Sequence, residues 1–391
     1  MSRTILDVHV LQTVPPSNIN RDDTGSPKGA VYGGVRRARV SSQAWKRATR
    51  EAFKNVLDPA ELGTRTKRVA DLVAERICGL DADIPYPEAL ELAAATVAAA
   101  TGSKIEKPKR RKNDEEDPAP ESSYLMFLSA RQRDGLAELA VQGRADIKAF
   151  LKDAENKKRA KQIADTGHSI DIALFGRMVA DSSDINVDAS AQVAHAISVH
   201  AADIESDYYT AVDDRRKDDE PGAGMIGTVE FNAATLYRYA AVDVDRLSAN
   251  LGAGLRDDRP LSEPVRRAVE AFVRCFVESM PTGKANTFAN HSLPDAVIVK
   301  LRDSRPISFA GAFEAPVPQG RENGQVAEAC RRLRAHITAI EDAYGAAGAK
   351  TWLLRVGEST EELEKLAAPL PLDQMVKEVG EAVAARLETS A

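Results

Sequence analysis

Between Arg21 and Lys54 stand nine cations: Arg21, Lys28, Arg36, Arg37, Arg39, Lys46, Arg47, Arg50 and Lys54. Only Asp22, Asp23 and Glu51 oppose them, so this segment carries +6 in a chain whose total is −6. From Arg36 to Arg50 there are six cations and no acid, led into by Gly25, Gly29, Gly33 and Gly34. Charged groups gathered in this way suit the phosphates of a polyanion, and glycines let a phosphate backbone approach closely. The bland account, a solvated helix face, normally mixes both signs. The acidic remainder excludes a polycation that coats nucleic acid indiscriminately, so binding must come from the patch.

Other chemistries have weaker support. Thr282-Gly283-Lys284 has the end of a phosphate loop, but Glu278 stands where the first glycine of G-x-x-x-x-G-K belongs, so nucleotide hydrolysis is not expected. Lys284 remains a candidate for a simple phosphate contact, or one residue of a helix-to-strand loop. His195 and His200 lie five apart in a strand-like stretch and should face opposite ways, one buried and one exposed. Asp203, Glu205 and Asp207 share a strand face without the glycine of a calcium loop, so an acidic hairpin edge is the plainer reading. Asp22 and Asp23 are candidates for a general base or metal ligand, or for turn caps pairing with Arg21. No G-x-S-x-G occurs, and Cys78, Cys275 and Cys330 are widely spaced with no C-x-x-C. No cofactor is implied. A second basic cluster, Lys157, Lys158, Arg159 and Lys161, is balanced nearby by Asp153 and Glu155.

The elements that must position these groups follow from pattern. Residues 4–13 are rich in β-branched side chains and read as a strand, followed by an irregular Gly-punctuated loop. VRRARV reads as a short strand. Ser41 and Ser42 supply N-caps for a helix from about Gln43 to Val56. On it Trp45, Ala48, Ala52, Phe53 and Val56 form an apolar arc, with Lys46, Arg50 and Lys54 at i, i+4 and i+8 opposite and Arg47 beside them. From about residue 59 to 180 the pattern is helical and Ala-rich. It is broken by 103–123, whose basic-then-acidic composition reads as a disordered surface loop. A hairpin over about 201–228 follows, then a helix, the strand DAVIVKLR and two C-terminal helices. Strand, helix, helical insertion, strands, helix and strand is an α+β pattern with a split sheet.

At 391 residues the chain suits more than one core, and its 43% hydrophobic content can fill them. No apolar run approaches the roughly 18 residues of a membrane span, so no membrane partner is expected. Asp7 and His9 stand where a signal peptide would be apolar, and the three cysteines give no disulfide framework, which points to a reducing, cytoplasmic setting.

Taken in order, LDVHVLQTVPPSNINRDD, GAVYGGVRRARVSSQAWKRATR, DIALFGRM, AHAISVH, DYYTAVDD, YRYAAV and PTGKANTFA resemble the CasC-type backbone subunit of the type I-E CRISPR Cascade complex. The matches spread over residues 5–315; the C-terminal part adds little. The resemblance implies an RRM-like (ferredoxin-like) palm at 1–57 and 182–391, a helical finger at 58–181 and a β-hairpin thumb. It implies partners as well: crRNA, further copies of the chain, other Cascade subunits and target DNA, in antiviral defence without catalysis. By position, Arg21, Lys28, Ser41, Gln43 and Lys46 would hold RNA phosphates. Met178, which by itself reads as ordinary core, would wedge between bases; Tyr209 and Thr210 would lie in the thumb. Apart from the resemblance, the cluster Lys157, Lys158, Arg159 and Lys161 reads either as a solvated helix face or as a contact to target DNA. The competing reading is a metal-dependent nuclease using Asp22 and Asp23, because backbone subunits of other CRISPR classes cut RNA with a loop aspartate.

Overall fold

A computed structural model describes residues 3–108, 120–179, 183–211, 225–252, 262–319, 324–346 and 348–390. The chain divides into two compact units. The first comprises residues 1–52, 193–241 and 269–382, and the second residues 53–192, 242–268 and 383–391.

The first unit is organised by an open antiparallel sheet. Its strand order is Lys350–Arg355, Ala296–Arg302, Ile5–Ser17, Met225–Asp243, Ala196–Ser198, Val35–Val40, Gly29–Tyr32. Register is set by apolar pairs such as Val8 opposite Val299 and Val299 opposite Trp352. Both faces are covered, so the first strand is buried from Ile5 to Gln12 instead of alternating. On one face Ile5, Leu11, Tyr237, Tyr239 and Ile298 pack with Phe309, Phe313, Leu333 and Ile337. On the other, Val14, Ala38, Val40, Ala234 and Leu236 pack with Trp45.

The expected strand at 4–13 runs on to Ser17, through Pro15 and Pro16. Two further readings need correction. The Gly-rich segment is not wholly irregular, because Gly29–Tyr32 pairs with Val35–Val40. Gly33 and Gly34, both with positive φ (61° and 77°), make the two-residue turn that such a hairpin requires. The Lys350–Arg355 strand also had no counterpart in the pattern reading.

The second unit is mainly helical. Val69–Leu80, Tyr86–Thr101, Ala130–Gln142 and Ala154–Ala164 surround Val73, Ile77, Leu92, Val97, Leu136 and Leu139. Alanines at Ala74, Ala93, Ala137 and Ala160 let these helices approach closely. Ser129 and Gln132 form a capping box that starts the Ala130–Gln142 helix. The flanks of the expected loop at 103–123 form a short ladder, Ile105–Glu106 with Glu121–Ser122; residues 109–119 lie outside the described residues. Among the described residues no helix is long and apolar enough to cross a membrane.

Candidate nucleic-acid interface

Asn20 joins the parts of the basic region in the first unit. Its carbonyl accepts from the Lys28 amide (2.9 Å), and its side-chain Oδ1 accepts from the Ser41 amide (2.8 Å). Lys28 in turn accepts from the Arg39 amide at 2.9 Å. The Asn18 side-chain amide donates to the carbonyls of Gly25 and Glu230 (2.9 and 2.8 Å), fixing the loop's other end. A crevice lined by Asn20, Lys28, Arg39 and Asn232 has room for little more than one water, about 20 Å³. A Cβ on Gly283 would run into the Ile19 carbonyl, so the 282–284 loop also lies against this segment. Lys284, half-exposed with φ 46°, follows it.

Asp22 is occupied within its own loop. Its Oδ1 accepts from the Thr24 hydroxyl (2.7 Å), the Thr24 amide (3.0 Å) and the Ser26 amide (3.0 Å). The Thr24 hydroxyl bond is the main reason its carboxyl sits below the usual range. This is the turn-capping alternative read from sequence. Among the described residues no three His, Cys, Asp or Glu side chains gather as a metal site. Burial pushes the Cys275 and Cys330 thiols up to about 12, which leaves them poor nucleophiles.

The cations divide sharply. Arg36 is exposed, whereas Arg37 is wholly buried, donating to the carbonyls of Tyr32 (3.1 Å), Ser198 (2.9 Å), Phe313 (2.8 Å) and Glu314 (3.0 Å). Arg37 therefore braces the hairpin and leaves the set of candidate phosphate contacts. Arg39 is half-exposed; it donates to the Gly29 carbonyl at 3.1 Å and lies 3.3 Å from Nδ1 of the exposed His195. His200 is buried, as the spacing of the pair required.

The basic helix spans Ser42–Ala52, and Ser41 caps it by accepting from the Ala44 amide at 3.3 Å. Trp45 and Thr49 form its buried face. Gln43 and Arg47 are exposed and Lys46 and Arg50 half-exposed; partial burial lowers the Lys46 pKa. The expected extension to Val56 fails, since the helix gives way to a 3-10 turn at Phe53–Asn55 and Val56 is 41% exposed.

The expected hairpin is present: Glu205–Ala211 pairs antiparallel with Met225–Phe231. Its tip, residues 212–224, lies outside the described residues. Tyr209 opposes Gly227, where a Cβ would strike the tyrosine ring, so glycine there lets the ring lie across the partner strand. Because strand residues alternate, Tyr209 and Thr210 point to opposite faces. Thr210 shares its face with the exposed Tyr208 and Ile226.

In the second unit Met178 is 82% exposed, which removes its reading as core. Arg177 beside it is buried, donating to the carbonyls of Ile185 and Ala164 and to Gln132 Oε1. Arg177 and Val187 exchange backbone bonds of 2.9 and 2.8 Å. Gly176 (φ 78°) has no space for a side chain, since a Cβ would sit 2.7 Å from the Val187 carbonyl. A rigid base thus presents an apolar thioether to solvent. Separately, Lys157, Lys158, Arg159 and Lys161 are all exposed on the Ala154–Ala164 helix.

The CT1975-like protein family matches residues 6–378. The chain belongs to this family. Two solved structures resemble it over nearly their whole length. One is a chain of a "CRISPR RNA-guided surveillance complex, pre-nicking", with 32% identity, a TM-score of 0.80, and 97% of this chain and 100% of that chain covered. The other is a chain of a "CRISPR RNA-guided surveillance complex", with 28% identity, a TM-score of 0.70, and 96% and 99% covered. No curated protein matches by sequence.

For this CT1975-like chain, the resemblance to a CasC-type Cascade subunit is therefore borne out. The chain is a Cascade-type surveillance-complex subunit in CRISPR defence. The sequence reading missed Asn18 and Asn20 as organisers of the basic loop. Asparagines in a loop of glycines carry a turn signal, and their partners at Glu230 and Ser41 are visible only once the chain has folded.

Proposed function

We propose that the chain is a non-catalytic guide-RNA-binding subunit, copies of which line up along a crRNA as the backbone of a type I-E Cascade. The observation that carries this reading is the assembly around Asn20. Three segments (20–28, 39–50 and 282–284) converge there, and they present Lys28, Arg39, Lys46, Arg47, Arg50 and Lys284 at the surface with Gln43 among them, while Ser41, expected at the phosphates, is buried as the helix cap beneath them. Such a site recognises phosphates and reads no bases. Arg21 and Arg36, both exposed, extend it. On this reading residues 1–57 and 182–391 are an RRM-like palm, 58–181 a helical finger with Lys157, Lys158, Arg159 and Lys161 toward target DNA, and the arm at 201–228 a thumb. Met178 interrupts base stacking, and Tyr209 and Thr210 act from the two faces of the arm. The nuclease alternative is disfavoured because the Asp22 carboxylate is already engaged by Thr24 and Ser26.

The test is affinity of the full chain for two single-stranded RNAs of unrelated sequence across a salt series. Equal affinities, with log K falling linearly against log salt by about 0.7 per phosphate neutralised, are expected. Sequence-dependent affinity, or no salt dependence, would reject phosphate recognition.

A further inference from the structure

Among the described residues, the buried arginines are met by oxygen-rich surroundings, with one exception. Arg302 is held by Asp7 at 2.7 Å and Glu341 at 2.9 Å. Arg37 has four carbonyls, and Arg177 has carbonyls, an amide oxygen and Asp165 at 3.9 Å. Arg238 is as deeply buried, yet its partners are one side-chain amide oxygen, Gln12 Oε1 at 2.6 Å, and the Phe276 carbonyl. Its Nε has no acceptor. Aromatic rings fill the rest: the guanidinium lies 3.7 Å from the Trp45 ring centroid and 4.6 Å from that of Phe276. Such stacking stabilises a cation but does not neutralise it. Burial pulls its pKa down to about 9, so the group stays charged near neutral pH.

Its position gives that charge a direction. Tyr237 and Tyr239 face the core around Phe309, so alternation turns Arg238 to the opposite face, toward Trp45. Trp45 is the buried side of the Ser42–Ala52 helix, whose other side carries Lys46, Arg47 and Arg50. One helix diameter, about 10 Å, therefore separates a buried cation from the cationic surface. A charge inside protein is costly when unpaired, and its field is screened far less than that of a surface charge.

We propose that Arg238 is a buried member of the polyanion site: its unneutralised charge beneath the basic helix strengthens phosphate binding above, at the expense of the unbound protein's stability. The inference rests on the guide-RNA reading of that helix. Bound phosphates relieve the cost of Arg238, so ligand affinity and unliganded stability are linked through one side chain.

The test uses the full chain at about pH 6 with Arg238→Met, which removes the charge and fills the space, and Arg238→Lys, which at that pH keeps the charge and loses the planar stack. Affinity for a polyuridylate oligonucleotide and the Tm of the RNA-free protein are measured for each. Arg238→Met is expected to bind roughly three- to tenfold more weakly with an RNA-free Tm equal to or above that of the unmodified chain. Arg238→Lys should keep its affinity within about twofold. Equal loss in both variants would make Arg238 a packing residue and overturn the proposal, as would an Arg238→Met protein that is less stable or does not fold. Lys46→Glu/Arg50→Glu serves as the control: unchanged binding there rejects the RNA site itself, whereas lost binding there beside unchanged Arg238→Met affinity rejects only the inference.

Discussion

The two basic helices carry similar charge and are built differently. The Ser42–Ala52 helix has no acid in its first turn and stands on Trp45, with its cap and neighbouring loop tied together through Asn20. The Ala154–Ala164 helix is capped by Asp153, carries Glu155 in its first turn and stands on Ala160 and Ala164. Its cations have local partners: Arg159 donates to Gln142 and Asn156, and Lys161 lies 4.0 Å from Asp184. The first arrangement holds charge in place, as recognition of a phosphate track requires. The second rests on small alanines, and two of its cations lean on neighbouring polar side chains. Counting cations does not separate these cases; what lies beneath them does.

The largest effect is expected where a cation is structural. Arg37→Ala would leave four carbonyls without their donor and should cost about 3–5 kcal/mol of stability. Arg36→Ala, one residue away and exposed, should leave the Tm unchanged and weaken RNA binding about threefold. Denaturant unfolding of both variants checks the pair.

Lys46→Glu/Arg50→Glu should lower RNA affinity by about a hundredfold with unfolding unchanged, since Trp45 and Thr49 keep their packing. Replacing Lys157, Lys158, Arg159 and Lys161 by Gln should alter RNA affinity by less than about threefold and weaken duplex DNA capture about tenfold. Gel-shift titrations with both ligands decide whether the helices divide the work in this way. Loss of RNA from the second variant would erase the distinction.

The smallest effect concerns Asp22, whose folded pKa is depressed by its bonds to Thr24 and Ser26. A depressed carboxylate contributes order that is full above its unfolded pKa, about 3.9, and is lost as pH falls through the folded value. Amide signals of Thr24 and Ser26 should therefore lose protection only below about pH 4, and Asp22→Ala should lose it at every pH. Magnesium-dependent RNA cleavage that disappears in Asp22→Ala would restore the nuclease reading.

Much of this was legible in the sequence because it is local. Ser41 before an apolar arc gives the capped helix, and two β-rich runs around a polar segment give the hairpin. What escaped depends on distant chain. Arg37 and Arg39 share a strand face, and the carbonyls of Ser198, Phe313 and Glu314, 161 to 277 residues on, hold one of them inside. The two glycines that suggested an irregular loop are the turn of a hairpin whose partner strand confers the order. Met178 reads as core by composition, yet the buried Arg177 beside it takes the inward position and leaves the thioether outside. Arg238, in YRYAAV, looks like a surface cation on an alternating strand until the second face of the sheet is found to be covered too.

Cross-linking by ultraviolet light, with the RNA-bound full chain digested and its nucleotide-bearing peptides sequenced, tests the central claim most directly. Cross-links within residues 20–50, at Lys284, at Tyr209 and at Met178, unchanged between two RNAs of unrelated sequence, are predicted. Cross-links confined to the 154–164 helix, with none in residues 20–50, would contradict it.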